Sequence, residues 1–127
     1  MSHFTTLQTR IVSKEHLLEA LHDLHMEFET GELEIRGYQG IKTQVEVKVK
    51  TQNPDYYIGF RKRGDIFEMV ADWYGIKDIT PGEFLAKIAQ RYAYRASMRK
   101  LLEQNFEIVS EEILSDNSIH ITVRRMV

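Results

Sequence analysis

The chain has 127 residues, no cysteine, and seventeen basic against nineteen acidic side chains, for a formal charge of −2. That length makes one domain with one apolar core the expectation, spanning residues 1–127. The missing cysteines exclude disulfides, thiolate metal sites and cysteine nucleophiles, and the near-balanced charge excludes the global field that draws a protein onto nucleic acid or an anionic membrane.

Residues 4 to 12 mix β-branched and apolar residues with polar ones, Leu7 and Ile11 sharing a face, and read as a first strand. Ser13 suits an N-cap, and Leu17, Leu18, Leu21 and Leu24 follow at helical spacing to about His25. Leu33 and Ile35 then alternate up to the turn Gly37-Tyr38-Gln39-Gly40. Val45, Val47 and Val49 alternate with Gln44, Glu46, Lys48 and Lys50, which predicts one dry and one wet face. Beyond a turn at Asn53-Pro54-Asp55, residues 56 to 60 and 66 to 71 read as two strands joined by the polar tip Arg61-Lys62-Arg63-Gly64.

Thr80-Pro81-Gly82-Glu83 combines a cap, a proline for the first helical position and a glutamate for a capping box. It predicts a helix to about Gln104, with Asn105 as a left-handed stop. Residues 106 to 113 and 118 to 125 then form a hairpin across Ser115-Asp116-Asn117, with Ile119, Ile121 and Val123 on its buried face. The order β-α-β-β-β-β-α-β-β predicts an α+β fold, an antiparallel sheet with both helices on one face, of TATA-binding-protein-like or helix-grip-like topology. That likeness of topology carries no function.

Around the long helix, Phe84, Leu85, Ile88, Ala89, Tyr92 and Ala96 form an apolar stripe that should cover the sheet. Tyr94, Met98, Leu101 and Leu102 form a second group, rotated by roughly 120°. No proline or glycine lies between Phe84 and Gln104 to bend the helix, so the second group must meet the terminal hairpin or a second subunit, and the subunit is preferred. Between the stripes run Lys87, Arg91, Arg95 and Arg99 at i,i+4 spacing, a repulsive row that sheet carboxylates or an anionic partner should offset.

Five stretches in order carry a resemblance: Met1-Ser2-His3-Phe4, Glu34-Ile35-Arg36-Gly37-Tyr38-Gln39-Gly40, Tyr57-Ile58-Gly59-Phe60, Val70-Ala71-Asp72 and Gln90-Arg91-Tyr92-Ala93-Tyr94. Together they resemble the hypothetical chloroplast open reading frame thirty-five family of cyanobacteria and plastids, and Asn105-Phe106, Asp116-Asn117-Ser118-Ile119 and Val123-Arg124-Arg125 extend the likeness through the closing hairpin. The family has bacterial and phage relatives and a domain of unknown function. The resemblance therefore implies a small intracellular protein, cytoplasmic or stromal, with no assigned reaction and with an AAA-type ATPase as a candidate partner. Tyr57 stands where the family pattern has an acidic residue and Met126 where it has a tryptophan, so an activity resting on either would be absent here. Asn105 replaces the usual glycine, a mild change because asparagine also tolerates the left-handed region.

Candidate chemistry is sparse. His3 near the amino end, and His22 with His25 on the first helix, lack the further ligands that a metal site requires. No cofactor is implied, since the glycines around Tyr38 and Gln39 precede a strand, not a helix N-terminus. Asp72, Asp78, Glu111 and Glu112 have no predictable separation, so no residue is assigned to catalysis. Glu46 and Asp65 interrupt the basic pattern of Lys48, Lys50 and Arg61-Lys62-Arg63, which argues against nucleic acid as a partner, and no apolar run is long enough for a membrane span.

The candidate ligand or partner residues are Arg36 and Tyr38 on the glycine-rich turn and Arg91, Tyr94, Arg95, Met98 and Leu101 on the long helix. The function expected is a non-enzymatic interaction or assembly module, a homodimer or the companion of another protein, working through the second half of the long helix and exposed sheet edges. The alternative is a small-molecule or anion binder whose cleft between long helix and sheet gathers Arg36, Tyr38 and Arg91; a minor enzyme using the same cleft is the weaker third reading.

Overall fold

A computed structural model describes residues 4–116 and 118–126; His3 and Asn117, singled out above, lie outside them. The elements are β1 (Thr5–Gln8), α1 (Lys14–Asp23), β2 (Phe28–Arg36), β3 (Lys42–Lys50), β4 (Tyr57–Arg63), β5 (Ile66–Ala71), α2 (Pro81–Glu103), β6 (Phe106–Ile113) and β7 (Ile119–Arg125). Short 3₁₀ turns follow β2 and β5. This is the expected order. The first five strands make an antiparallel sheet in the order β1-β5-β4-β3-β2, while β6 and β7 pair only with each other. No helix among the described residues is long and apolar enough to cross a membrane.

Both helices lie on one face of the large sheet. Leu17, Ala20 and Leu21 of α1 and Phe84 and Ile88 of α2 close over Val47, Val49, Ile58, Phe60, Phe67, Met69 and Ala71. Burial of such side chains, about 1.5–3 kcal/mol each, drives the layer together. Ser13 caps α1 as expected, its hydroxyl accepting from the His16 N–H at 3.2 Å. Thr80 does not cap α2 with its side chain; its carbonyl takes the Phe84 N–H at 2.9 Å, so the backbone alone starts that helix. Asn105 stops it at φ 63°.

A second, smaller core lies on the opposite face, where Ile35, Val45 and Val70 are buried with Phe4, Leu33 and Tyr57 around them. It corrects the single dry face predicted for β3, because Val45 joins this cluster whereas Val47 and Val49 join the helix-side one. The cause is local. The β2–β3 register breaks between Thr30 and Leu33, where Gly31 has φ 131°, and the end of the hairpin curls across the back of the sheet.

Two smaller differences also have local causes. β1 ends at Gln8 because the Thr9 hydroxyl donates to the Phe67 carbonyl at 2.6 Å and accepts from the Ile11 N–H at 3.0 Å, replacing ladder bonds. Arg61 to Arg63 belong to β4, and the tip is Gly64-Asp65, with Gly64 at φ 65°. Its cations are engaged within the chain. Arg61 reaches Glu68 at 3.1 Å and Thr43 at 2.9 Å, Arg63 reaches Glu68 at 3.3 Å, and Lys62 lies 5.7 Å from the centre of the Phe67 ring.

Candidate functional site

The cationic row of α2 meets a carboxylate row on α1. Glu15, Glu19 and Asp23 recur at every fourth residue of α1, and the two helices pack antiparallel, so the carboxylates meet Arg99, Arg95 and Arg91 in turn. Asp23 accepts from Arg91 Nη2 at 2.9 Å and from Arg95 Nη2 at 2.5 Å. The bond from Arg95, then that from Arg91, outweighs burial and lowers the Asp23 pKa from 3.8 to about 2; the same contact raises that of Arg95. The offsetting charges come from α1, not from the sheet. Arg91 and Arg95 are thus satisfied by a partly exposed intramolecular seam.

Within the second apolar group of α2, Tyr94 is met by the chain's own terminal hairpin, whereas Leu102 stays exposed. β6 returns along α2, and the Tyr94 hydroxyl donates to Glu111. Burial, then this carboxylate, raises the Tyr94 phenol pKa above 10.0. Met98 and Leu101, between that contact and the end of the helix, are half-buried. In the first stripe, Phe84 and Ile88 are buried as expected, but Ala89 is exposed.

Arg36 and Tyr38 sit on the curled β2–β3 tip, on the face away from the helices, so the expected cleft joining them to Arg91 does not form. Their anchor is Asp72, 1% exposed. One of its oxygens accepts the Tyr38 N–H at 2.8 Å and the other the Tyr74 N–H at 3.2 Å. Gly37 fits beside it because a Cβ there would stand 3.1 Å from Asp72 Oδ2 and 3.2 Å from the Phe4 ring.

With this geometry in place, the comparisons are specific. The model for "Protein of unknown function (DUF1257)" matches residues 20–122. Proteins described as "Uncharacterized protein ycf35" are similar across 98% of both chains, at 33% identity in Cyanophora paradoxa, 31% in Pyropia yezoensis and 29% in Guillardia theta. The chain belongs to this family of unknown function. No solved structure matches it.

Several stretches that carry the family resemblance meet around Asp72 and the back core: Phe4, Ile35 to Tyr38, Gly59, and Val70 with Asp72. Of the two departures, Tyr57 lies beneath Lys48, whose Nζ is 4.3 Å from the ring centre. Met126 is 50% exposed, and its N–H donates to the Asn105 carbonyl at 2.7 Å. In the sequence Asp72 stands out as an unplaced carboxylate and as the end of the Val70-Ala71-Asp72 stretch; its spacing to Tyr38 and Tyr74 gives no signal of a shared anchor. Asp78 is likewise structural, accepting from Asn53 Nδ2 and from the Gln52 N–H at 3.2 Å. Among the described residues no group of histidines and carboxylates is arranged to hold a metal ion.

Proposed function

We propose that this chain is a non-enzymatic assembly module that pairs with a second copy of itself through the β6–β7 hairpin and the second half of α2. The observation that carries the reading is the exposure of apolar residues there: Leu102 57%, Val109 56%, Ile113 72%, Leu114 39% and Met126 50%. A two-stranded hairpin is marginal in water without further packing, and exposed apolar side chains run along this one from its base at Leu102 and Met126, through Val109, to its tip at Ile113 and Leu114.

Its charge pattern favours a second copy as occupant. β6 carries Glu107, Glu111 and Glu112, whereas β7 carries His120, Arg124 and Arg125. Within the chain Glu107 pairs with Arg124, Glu111 accepts from Tyr94 and Arg125 lies over the Phe106 ring. A two-fold axis between stacked hairpins therefore brings the remaining acidic charge of β6, Glu112, toward the basic strand of the other copy, in keeping with an isologous interface. An AAA-type ATPase is the other partner that the family resemblance implies, and the reading puts the assembly in the cytoplasm or the stroma.

Because the chain has no cysteine, Val109→Cys tests the reading by crosslinking. Mild oxidation should trap a disulfide-linked dimer from Val109→Cys, and none from Ile66→Cys on the large sheet. Absence of a dimer from Val109→Cys, or equal dimer from both, would refute it.

A further inference from the structure

We propose that the hollow between the β1–α1 connection and the first half of α2 binds a small organic acid with an apolar body. The hollow holds about 690 Å³ and is lined by residues 8–11 on one side and by Leu85, Ala89, Tyr92 and Ala93 on the other. That volume is in the range of small-molecule sites, roughly 300–1,000 Å³. The lining shares no residue with the terminal hairpin, and it is not the cleft expected to gather Arg36, Tyr38 and Arg91.

The wall formed by the β1–α1 connection is pinned from both sides. The Ile11 carbonyl accepts the Phe67 N–H at 2.8 Å and the Ile11 N–H goes to the Thr9 hydroxyl at 3.0 Å, which ties the connection to β5. The Tyr92 oxygen accepts the Val12 N–H at 3.1 Å and the Ser13 N–H at 2.9 Å, which ties it to α2. A site formed in advance spares its ligand the cost of ordering it. The same bonds argue against a peptide added as a strand, because the main-chain N–H groups from Ile11 to Ser13 are already engaged.

The chemistry of the lining selects the ligand. Ile11, Leu85 and the exposed Ala89 and Ala93 give it apolar walls, and among the described residues that line it Arg10 alone is charged. Arg10 is exposed and has no ion pair among the described residues. A phenol oxygen that accepts two bonds still has its own proton to give, and Tyr92 gives it to no acceptor among the described residues. Arg10 precedes Val12 by two residues, so the guanidinium and the phenol proton serve one end of the hollow. A carboxylate there takes a charge-assisted bond from Arg10 and a second bond from Tyr92, while the apolar body covers Ala89 and Ala93. One cation is too little for a nucleic acid, which needs a basic track.

Decanoate is the probe, added to the full chain below its micelle-forming concentration and followed by backbone amide NMR. It should shift the amides of residues 8–13, Ala89 and Ala93, and bind more tightly than decanol or decyltrimethylammonium. Arg10→Gln should weaken it by about tenfold, the worth of one charge-assisted bond. Ala89→Trp fills the hollow from an exposed position and should abolish binding; an unchanged urea midpoint verifies the fold of each variant. The proposal is overturned if decanoate shifts no amide there, if decanol or the cation binds as tightly, if either variant binds decanoate like the wild type, or if a neutral apolar hexapeptide binds the hollow more tightly.

Discussion

Gly59 of β4 lies directly under Val45 of β3: a Cβ built on the glycine would stand 2.3 Å from Val45 Cγ1. Ile35 Cδ1 closes the same space from β2 at 3.1 Å. The curled hairpin rests on the sheet here because position 59 has no side chain.

Gly59→Ala should therefore destabilise the protein by overpacking, on the order of 1–3 kcal/mol. Val45→Ala makes room for the new methyl, so the double variant should lose less than the sum of the single losses. Urea midpoints of the four proteins measure the coupling. Strict additivity would mean that the hairpin does not rest on Gly59.

Asp23→Asn removes the charge between Arg91 and Arg95. Because these groups reach solvent, the loss near neutral pH should be about 1–2 kcal/mol, below that of a fully enclosed pair. The folded Asp23 pKa is depressed from 3.8 to about 2, so the carboxylate's contribution is full above the unfolded value and falls as pH drops through this window. The gap between wild type and variant should narrow on acidification from about pH 5, through 3.8, and close only near or below pH 2. A constant gap across that interval would contradict the assignment.

The two helix starts should respond differently to the same change. Ser13→Ala removes a side-chain cap and should cost about 1 kcal/mol. Thr80→Ala should leave the denaturation midpoint nearly unchanged, since only the Thr80 carbonyl takes part. Equal losses would show that Thr80 caps α2 through its hydroxyl.

Met98→Glu with Leu101→Glu should release the β6–β7 hairpin while the large sheet stays folded. Amide exchange should then quicken from Phe106 to Arg125 and stay slow in β3, β4 and β5, because separate cores protect the two regions. Unfolding of the whole chain would instead make the hairpin part of the main core.

The sequence was most legible where local periodicity decides structure. Ser13, the valines of β3 and Asn105 announced their elements correctly, as capping, alternation and left-handed tolerance act within a few residues. The facing of Val45 was not legible, because its cause is a register break at Gly31 on the neighbouring strand. At the candidate sites, the cationic spacing of α2 was visible, but Asp23 lies 68 residues before Arg91, and only packing reveals that it answers the charge. Thr80 shows the opposite failure, a capping sequence whose hydroxyl goes unused.

The central claim is that the terminal hairpin is an interface between copies, and sedimentation equilibrium of the full chain addresses it most directly. The wild type should have twice the 15.0 kDa mass of one chain. Val109→Glu combined with Ile113→Glu should sediment as a monomer, with a urea midpoint for the large sheet like that of the wild type. A wild-type protein that remains at 15.0 kDa across the accessible concentrations, or a charged variant that stays dimeric, would contradict the account.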